Sequence, residues 1–304
     1  MYYLKRILAL VPLLLVISFL AFALVRVAPG GPFDRERAPA SPEVERALKE
    51  KYRLDQPLWK QYVLYLGDLA RGDLGPSMKY RHHSVNDIIR QALPATLVLG
   101  GLSFGFALGF GIPLGFATAA RKGQWVDYGG SLLALIGICV PAFVIGPLLV
   151  MGFAIKLQWF PVALWDSPLN VVLPTLALGL FYSGRIARLM REGMLGVLNE
   201  PYIMTARSKG LTERAVLFKH ALRPAVLPVI SYAGPMLADL LTGSFVIENL
   251  FQIPGIGVFM VNSSLNKDYT MIVGLVLLYA ALLLVLNLIV DFLYSRLDPQ
   301  VKFE

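Results

Sequence analysis

Residues 93–119 read LPATLVLGGLSFGFALGFGIPLGFATA, a run without a single charged side chain. About 20 apolar residues in a helix cross the hydrocarbon core of a bilayer, so this run predicts a transmembrane helix. Gly101, Gly105 and Gly109 recur at four-residue spacing, with Gly111 and Gly115 at the same interval beside them. Small residues on such a stripe let helix backbones approach closely in lipid, where association rests on packing. The run therefore predicts one helix of a bundle, and no particular activity.

Comparable runs lie at 7–25, 128–155, 169–184, 225–246 and 271–290, which brings the expected spans to six. The 304 residues are 56% hydrophobic and 16% charged, too apolar for an ordinary soluble domain and too long for a single anchor. The expected fold class is an all-α integral membrane protein. The first run exceeds the apolar stretch of about 7–15 residues in a cleaved signal, so it is read as a retained helix. Pro113, Pro141, Pro147 and Pro174 fall within spans and are expected to kink them or to free backbone groups for neighbours to satisfy. Trp125, Trp159 and Trp165 fall at span ends, where the indole suits the interface.

Basic residues in short segments orient such a chain. Lys5 and Arg6 precede the first span, Arg121 and Lys122 follow the second, and Arg296 and Lys302 follow the sixth. Arg185, Arg188, Arg191, Arg207, Lys209, Arg214, Lys219 and Arg223 lie between the fourth and fifth, against only Lys156 and Lys267 in the opposite short loops. Both termini are expected in the cytoplasm. The net charge of +8 is spread over membrane flanks rather than gathered in a basic domain, which argues against nucleic acid as a partner and for membrane lipids. Cys139, the single cysteine, lies inside a span, so no intrachain disulfide is expected.

Four segments follow: a first span at 1–28, an exported subdomain at 29–92, a transmembrane domain at 93–294 and a cytoplasmic tail at 295–304. Ala28-Pro29-Gly30-Gly31-Pro32 breaks the first helix. Ser41-Pro42-Glu43 signals a new start, and Val44, Leu48 and Tyr52, then Leu58, Tyr62 and Leu66, recur at about helical spacing. That periodicity suits either the subdomain's own core or a docking surface.

Between the fourth and fifth spans, at 185–223, comes Met204-Thr205-Ala206-Arg207-Ser208-Lys209-Gly210-Leu211, followed by His220-Ala221-Leu222-Arg223-Pro224-Ala225-Val226-Leu227-Pro228. Asn199 suits the cap of a helix starting around Pro201, Gly210 its left-handed end, and Thr212-Glu213 the start of a second helix running toward Pro224. Two short helices at an angle would form a knob; the plainer reading is a basic surface loop.

Catalytic motifs are absent. No Gly-x4-Gly-Lys-Ser/Thr phosphate loop, His-Glu-x2-His or Gly-x-Ser-x-Gly occurs, so the chain is not expected to be an enzyme. His82 and His83 are adjacent, without the spacing that sets two metal ligands on one helix face. Asp239, near the middle of the fifth span, is the intramembrane outlier. A carboxylate there is expected to face the bundle interior or a wet cavity, either lining a translocation path or bonded to a hydroxyl such as Ser231 or Tyr279. Asn287, Asp291 and Glu248 are weaker cases of the same kind. One such group and no clear inverted repeat make thin support for an ion-coupled secondary transporter.

The 204–228 stretch resembles the coupling loop of ABC importer permeases, whose signature is Glu-Ala-Ala, three residues, Gly, and a later Leu-Pro. Met204-Thr205 stands where the general pattern has Glu-Ala, and Leu227-Pro228 lies farther from the glycine. Arg26-Val27-Ala28-Pro29-Gly30-Gly31-Pro32-Phe33, Gly72-Asp73-Leu74-Gly75-Pro76-Ser77, Gly243-Ser244-Phe245-Val246-Ile247-Glu248, Pro254-Gly255-Ile256-Gly257 and Asp298-Pro299 extend the resemblance to the peptide-importing branch, and Gly72 to Tyr80, Ser84-Val85-Asn86-Asp87, and His220 to Pro228 followed by Ser231-Tyr232-Ala233-Gly234-Pro235 resemble its oligopeptide more than its dipeptide members. The resemblance implies the type I importer fold in a bacterial inner membrane. It implies a second, similar permease, two ATP-binding subunits that use ATP and Mg, and an extracytoplasmic peptide-binding protein. No cofactor is implied for this chain itself. Tyr202, Thr205, Ala206, Lys209, Gly210 and Leu211 would form the ATPase contact. Dipeptide, nickel and glutathione permeases share the architecture.

Overall fold

The computed structural model describes residues 2–27, 42–80 and 82–297, and the side chains of 2–7 and 290–297 are outside that description. Ser41, the Pro29-to-Phe33 stretch and Asp298-Pro299 fall outside the described residues, as do the side chains of Val44, Leu48 and Asp291. Among the described residues every regular element is a helix, with a single isolated bridge between Pro76 and Ser84. The helices are α1 Tyr2–Val27, α2 Pro42–Lys51, α3 Leu58–Leu69, α4 Val85–Ala120, α5 Trp125–Cys139, α6 Ala142–Leu149, α7 Val172–Leu198, α8 Pro201–Ser208, α9 Glu213–Ala215, α10 Leu222–Ala225, α11 Leu227–Gly243, α12 Phe245–Leu250, α13 Ile256–Asn266 and α14 Tyr269–Leu297.

Among the described residues, five continuous helical stretches are long and apolar enough to cross a bilayer: Leu8–Val27, Val85–Ala120, Pro168–Leu198, Leu227–Leu250 and Tyr269–Ile289. The sixth expected span, at 128–155, is a pair, Trp125–Cys139 and Ala142–Lys156, bent by 106°. Val140 at the break is extended and Pro141 caps α6. A residue before proline is pushed out of the helical region, and proline has no N–H to carry the ladder on.

The described residues divide into two compact units, one within 2–96 and 254–285, the other within 97–253 and 286–297. The first unit thus joins α1, α2 and α3 to α13 and the head of α14, a grouping wider than the expected 29–92 subdomain. Val85, Ile88, Ile89 and Ala92 of α4 pack with Ile256, Met271 and Leu275. Ala21 of α1 packs with Val273 and Leu277 of α14, with Tyr65 and Leu69 of α3 alongside. For Tyr62 the periodic face is core: its ring meets Phe19 and Phe22, and its hydroxyl lies 2.9 Å from Ser18 Oγ. Leu58 stays exposed.

The second span starts at Val85 rather than 93, because Ser84 and Asp87 close a capping box. Asp87 N donates to Ser84 Oγ at 3.1 Å and Ser84 N to Asp87 Oδ2 at 3.1 Å. Asp268, fully buried, fixes the loop before it. Its carboxylate accepts from Ser77 Oγ (2.5 Å), Met78 N (3.1 Å) and Lys79 N (3.2 Å), and caps α14 by accepting from Met271 N (3.1 Å).

In the second unit α7 is the central helix, packed against α5, α6, α10 and α11. Its buried Leu173, Ala177, Leu178, Ile186, Met190 and Met194 recur at helical spacing well past the expected end at 184. The first part of the expected 185–223 loop is therefore a continuation of α7, because its apolar stripe does not stop where the arginines begin. The two glycine stripes of α4 part company here. A Cβ on Gly111 would lie 2.7 Å from Ile186 Cβ, and one on Gly115 would overlap Ala187 O, whereas Gly101, Gly105 and Gly109 meet nothing within 4 Å.

Candidate functional site

The segment after α7 forms the knob. Asn199 Nδ2 donates to Leu195 O at 2.8 Å, so Asn199 closes α7 rather than capping α8. Its amide satisfies a carbonyl that the last turn leaves unpaired. Glu200 precedes α8 instead, without a side-chain cap, and Pro201 takes the first position, where a missing N–H costs nothing. Gly210 has φ 78°, with Gly210 N donating to Arg207 O (2.9 Å) and Leu211 N to Ala206 O (3.4 Å). This is a Schellman ending, as the glycine predicts. Thr212 Oγ1 then accepts from Ala215 N at 3.4 Å, and α9 leads through the wide turns of Val216–Ala221 into α10.

The two arms are joined twice. Arg207 Nη2 and Nε donate to Glu213 at 2.6 and 3.2 Å. Beneath that pair, α8 packs on Val216–Ala221, with Ile203, Ala206, Val216 and Ala221 all buried. The Arg207 guanidinium holds the Glu213 carboxyl below its ordinary range. Tyr202, Thr205, Lys209, Gly210 and Leu211 are exposed, as are Met204 and Phe218, the last with its ring 4.8 Å from that of Phe116. Ala206 is the exception among the expected contact residues. At 6% exposure it faces inward, and its small size lets α8 lie close on the helix behind it.

The knob sits on α7 through α10. A Cβ on Gly193 would overlap Ala225 O, so glycine permits that backbone contact. Farther along, Arg191 of α7 donates to both oxygens of Asp127 in α5 (2.8 and 3.0 Å), and Asp127 also accepts from Gly123 N (2.9 Å). Asp127 is 5% exposed, so this is a fork-shaped ion pair largely withdrawn from solvent. Charge counting reads Arg191 only as a sign of membrane topology, because its partner lies 64 residues away in sequence.

A second polar group spans α7 and α11. Tyr182 Oη donates to Asp239 Oδ2 at 2.7 Å, and Arg185 Nη1 donates to Tyr232 Oη at 3.1 Å with its guanidinium 5.5 Å from the Tyr232 ring. The partner of Asp239 is thus Tyr182. Ser231 Oγ instead donates to Leu227 O within its own helix. Asp239 and Arg185 are both exposed on the chain surface, so an anion and a cation stand on neighbouring helices with a tyrosine behind each. Glu248, by contrast, is fully buried and accepts from Ser244 Oγ at 2.6 Å. Among the described residues no cluster of three or more His, Cys, Asp or Glu is placed to hold a metal ion.

Residues 111–303 match the family described as binding-protein-dependent transport system inner membrane component. The chain belongs to that family. This transport component is 42% identical over 301 residues to the oligopeptide transport system permease protein OppB of Haemophilus influenzae, covering 98% of each chain. It is 42% identical to OppB of Escherichia coli strain K12, covering 99% of this chain and 98% of the relative. It is also 42% identical to the dipeptide transport system permease protein DppB of Bacillus subtilis, over 99% of this chain and 97% of the relative. Among solved structures it resembles the inward-facing MetNI methionine ABC transporter, with TM-score 0.59, 17% identity, and coverage of 69% of this chain and 96% of that one. An amino acid ABC transporter gives TM-score 0.53 at 17% identity, covering 71% and 95%. At such identities the likeness is one of fold, that of the type I importer permeases. The transport component is a multi-pass inner-membrane protein.

Proposed function

We infer that this chain is the membrane permease subunit of an ATP-driven oligopeptide importer, forming half of the translocation path beside a second, homologous permease. The observation that carries this is full-length similarity at 42% identity to permeases named for oligopeptide and dipeptide transport. Those names favour peptides over nickel or glutathione, and membership of a binding-protein-dependent family weighs against an ion-coupled secondary transporter. In this reading an extracytoplasmic binding protein delivers the peptide, and two ATPases supply the energy from ATP and Mg on the side that holds both termini.

The geometry is consistent with the knob as the ATPase contact. A short helix ended by a Schellman turn, braced by Arg207–Glu213 and seated on α7 through α10, would pass a push from a partner to α7. Tyr202, Thr205, Lys209, Gly210 and Leu211 would lie in a groove of the ATPase, with Met204 beside them, as an amphipathic helix does. Closure of the ATPases on ATP would then move α7, and with it the Tyr182–Asp239 and Arg185–Tyr232 pairs, in alternating access. Those pairs offer an anion and a cation to the charged ends of a peptide.

The reading is tested by a Leu211→Cys variant in a Cys139→Ser background, since Cys139 is itself exposed. A thiol crosslinker is expected to join position 211 to the ATPase, and less efficiently when nucleotide moves the subunits. No crosslink from 211 or from Lys209→Cys, with both thiols labelled by a soluble maleimide, would contradict the assignment.

A further inference from the structure

Within the first unit, α3 lies alongside two membrane spans, α1 and the head of α14. Val27 closes the apolar stretch of α1, and from there back to Leu15 is about 18 Å at about 1.5 Å per residue. Against a hydrocarbon core of about 30 Å, Leu15 is near mid-depth. Tyr62 of α3 reaches toward that level. Its hydroxyl donates to Leu15 O at 3.3 Å and lies 2.9 Å from Ser18 Oγ, and its ring meets those of Phe19 and Phe22 at 5.5 and 5.3 Å. One turn on, the Tyr65 ring stacks on that of Phe22 at 6.3 Å. The head of α14 gives the same depth independently. Its apolar stretch begins at Tyr269, and Tyr65 and Leu69 pack on a cluster that includes its Val273 and Leu277. Those two residues lie about 6 and 12 Å along that stretch. Nearness to the middle of α1 grows from Tyr65 to Tyr62, so α3 enters the apolar zone with its N-terminal end leading.

The opposite face of α3 is open. Trp59 is 69% exposed and Val63 57%, with Leu58 exposed beside them and Gly67 continuing the stripe. Phe19 of α1, whose ring touches that of Tyr62, is itself exposed, as are Val16 and Leu20. The open face of α3 therefore continues the apolar surface of a membrane span. From Leu58 to Leu66 the single charged residue is Lys60, exposed on a stem long enough to carry its ammonium toward headgroups. The other charges gather at the far end, where Asp68 pairs with Arg53 at 2.8 Å and Arg71 and Asp73 are exposed in the turn that follows. An apolar face with an exposed tryptophan, closed by a charged end, suits the boundary between headgroups and acyl chains. A soluble partner meets only the aqueous surface, so it does not reach a face at the level of Phe19 and Phe22.

We propose that α3 is an interfacial helix whose Trp59 and Val63 face is packed by lipid acyl chains, in the leaflet where α1 ends and α14 begins. The segment expected to be an exported subdomain is in this part a lipid-contact surface, and α3 seats the first unit in that leaflet. This goes beyond the transport reading and does not depend on it.

The test uses the assembled transporter in phosphatidylcholine nanodiscs, with Cys139→Ser as background and a nitroxide label at Trp59→Cys or Val63→Cys. The spectrum of the background transporter is subtracted. Collision of the label with oxygen, which concentrates among acyl chains, is compared with collision with a water-soluble nickel chelate, and Arg71→Cys serves as the aqueous reference. The oxygen-to-nickel ratio at 59 and 63 is expected several-fold above that at 71. A ratio equal to that at 71 would mean a face in water, and weak collision with both reagents a face covered by protein, a second permease included; either overturns the proposal. If the cysteine variants fail to assemble, the unaltered transporter decides. Phosphatidylcholine with a diazirine on its acyl chain is expected to label the 58–69 peptide as well as α1, and label on α1 with none on α3 would overturn the proposal. ATP-driven peptide uptake is measured separately, so failure here leaves the transport reading standing.

Discussion

Gly210 holds φ 78° with open space where a Cβ would point, so a side chain there meets backbone strain and no clash. A β-branched residue in that conformation costs about 1–2 kcal/mol, against a knob that otherwise keeps its packing. Gly210→Val is therefore expected to leave the transporter assembled and hydrolysing ATP while uptake falls steeply; normal uptake would show that the Schellman turn is not needed for coupling. Glu213 carries a pH signature. Its folded carboxyl lies below its ordinary value of 4.5, so the Arg207–Glu213 brace is complete above that value and is lost as pH falls through the lower folded one. Hydrogen exchange across 207–216 should keep its protection at pH 4.5 and lose it below, a step that Glu213→Gln should abolish. Asp239→Asn should keep the Tyr182 bond partner in reach but remove the negative charge. A changed preference among peptides of different charge is expected, and unchanged uptake across such a set would leave Asp239 a purely structural role. Sequence reading found Gly210 and Asp239 because a glycine after a basic helix and an acid within an apolar run are local signals. It missed Asp127, Asp268 and the Arg185–Tyr232 pair, because each depends on a partner that no local pattern reveals.

Helix boundaries were legible where a local device sets them. Pro201, Gly210 and Thr212 mark their turns in sequence as they do in space. The ends at Val85 and Leu198 were misjudged because hydropathy alone drew them, while the Ser84–Asp87 box and the buried stripe through Met194 extend the helices beyond the apolar core. Proline at 141 announced a kink but not its size, because a 106° bend is set by what the two halves pack against. The glycine stripes of α4 give an element-level test. Gly115→Leu must push against the Ala187 backbone and the Met190 side chain of α7, and should cost about 1–3 kcal/mol or more. Gly105→Leu meets open space and should leave this chain's thermal stability unchanged, as read by fluorescence-detected size exclusion after heating. Equal loss in both variants would mean that the two stripes do not differ in packing.

At the scale of the whole molecule, composition already specified a multi-pass membrane protein, and the coupling stretch specified its class. The division into one unit built around α3, α13 and the head of α14 and another built around α7 was hidden, because it joins segments from opposite ends of the chain. Within the second unit, one continuous structure runs from the exposed face of α8 through α10 to α7, and α7 carries Tyr182 and Arg185. In the proposed reading, that continuity would carry movement at the knob to the Tyr182–Asp239 and Arg185–Tyr232 pairs. The direct measurement is uptake of a labelled tri- to pentapeptide into vesicles containing this chain with its partner subunits. Uptake that requires both ATP and the binding protein, and disappears when the ATPases are omitted, is the predicted result. Uptake driven by an ion gradient without the ATPases would contradict it.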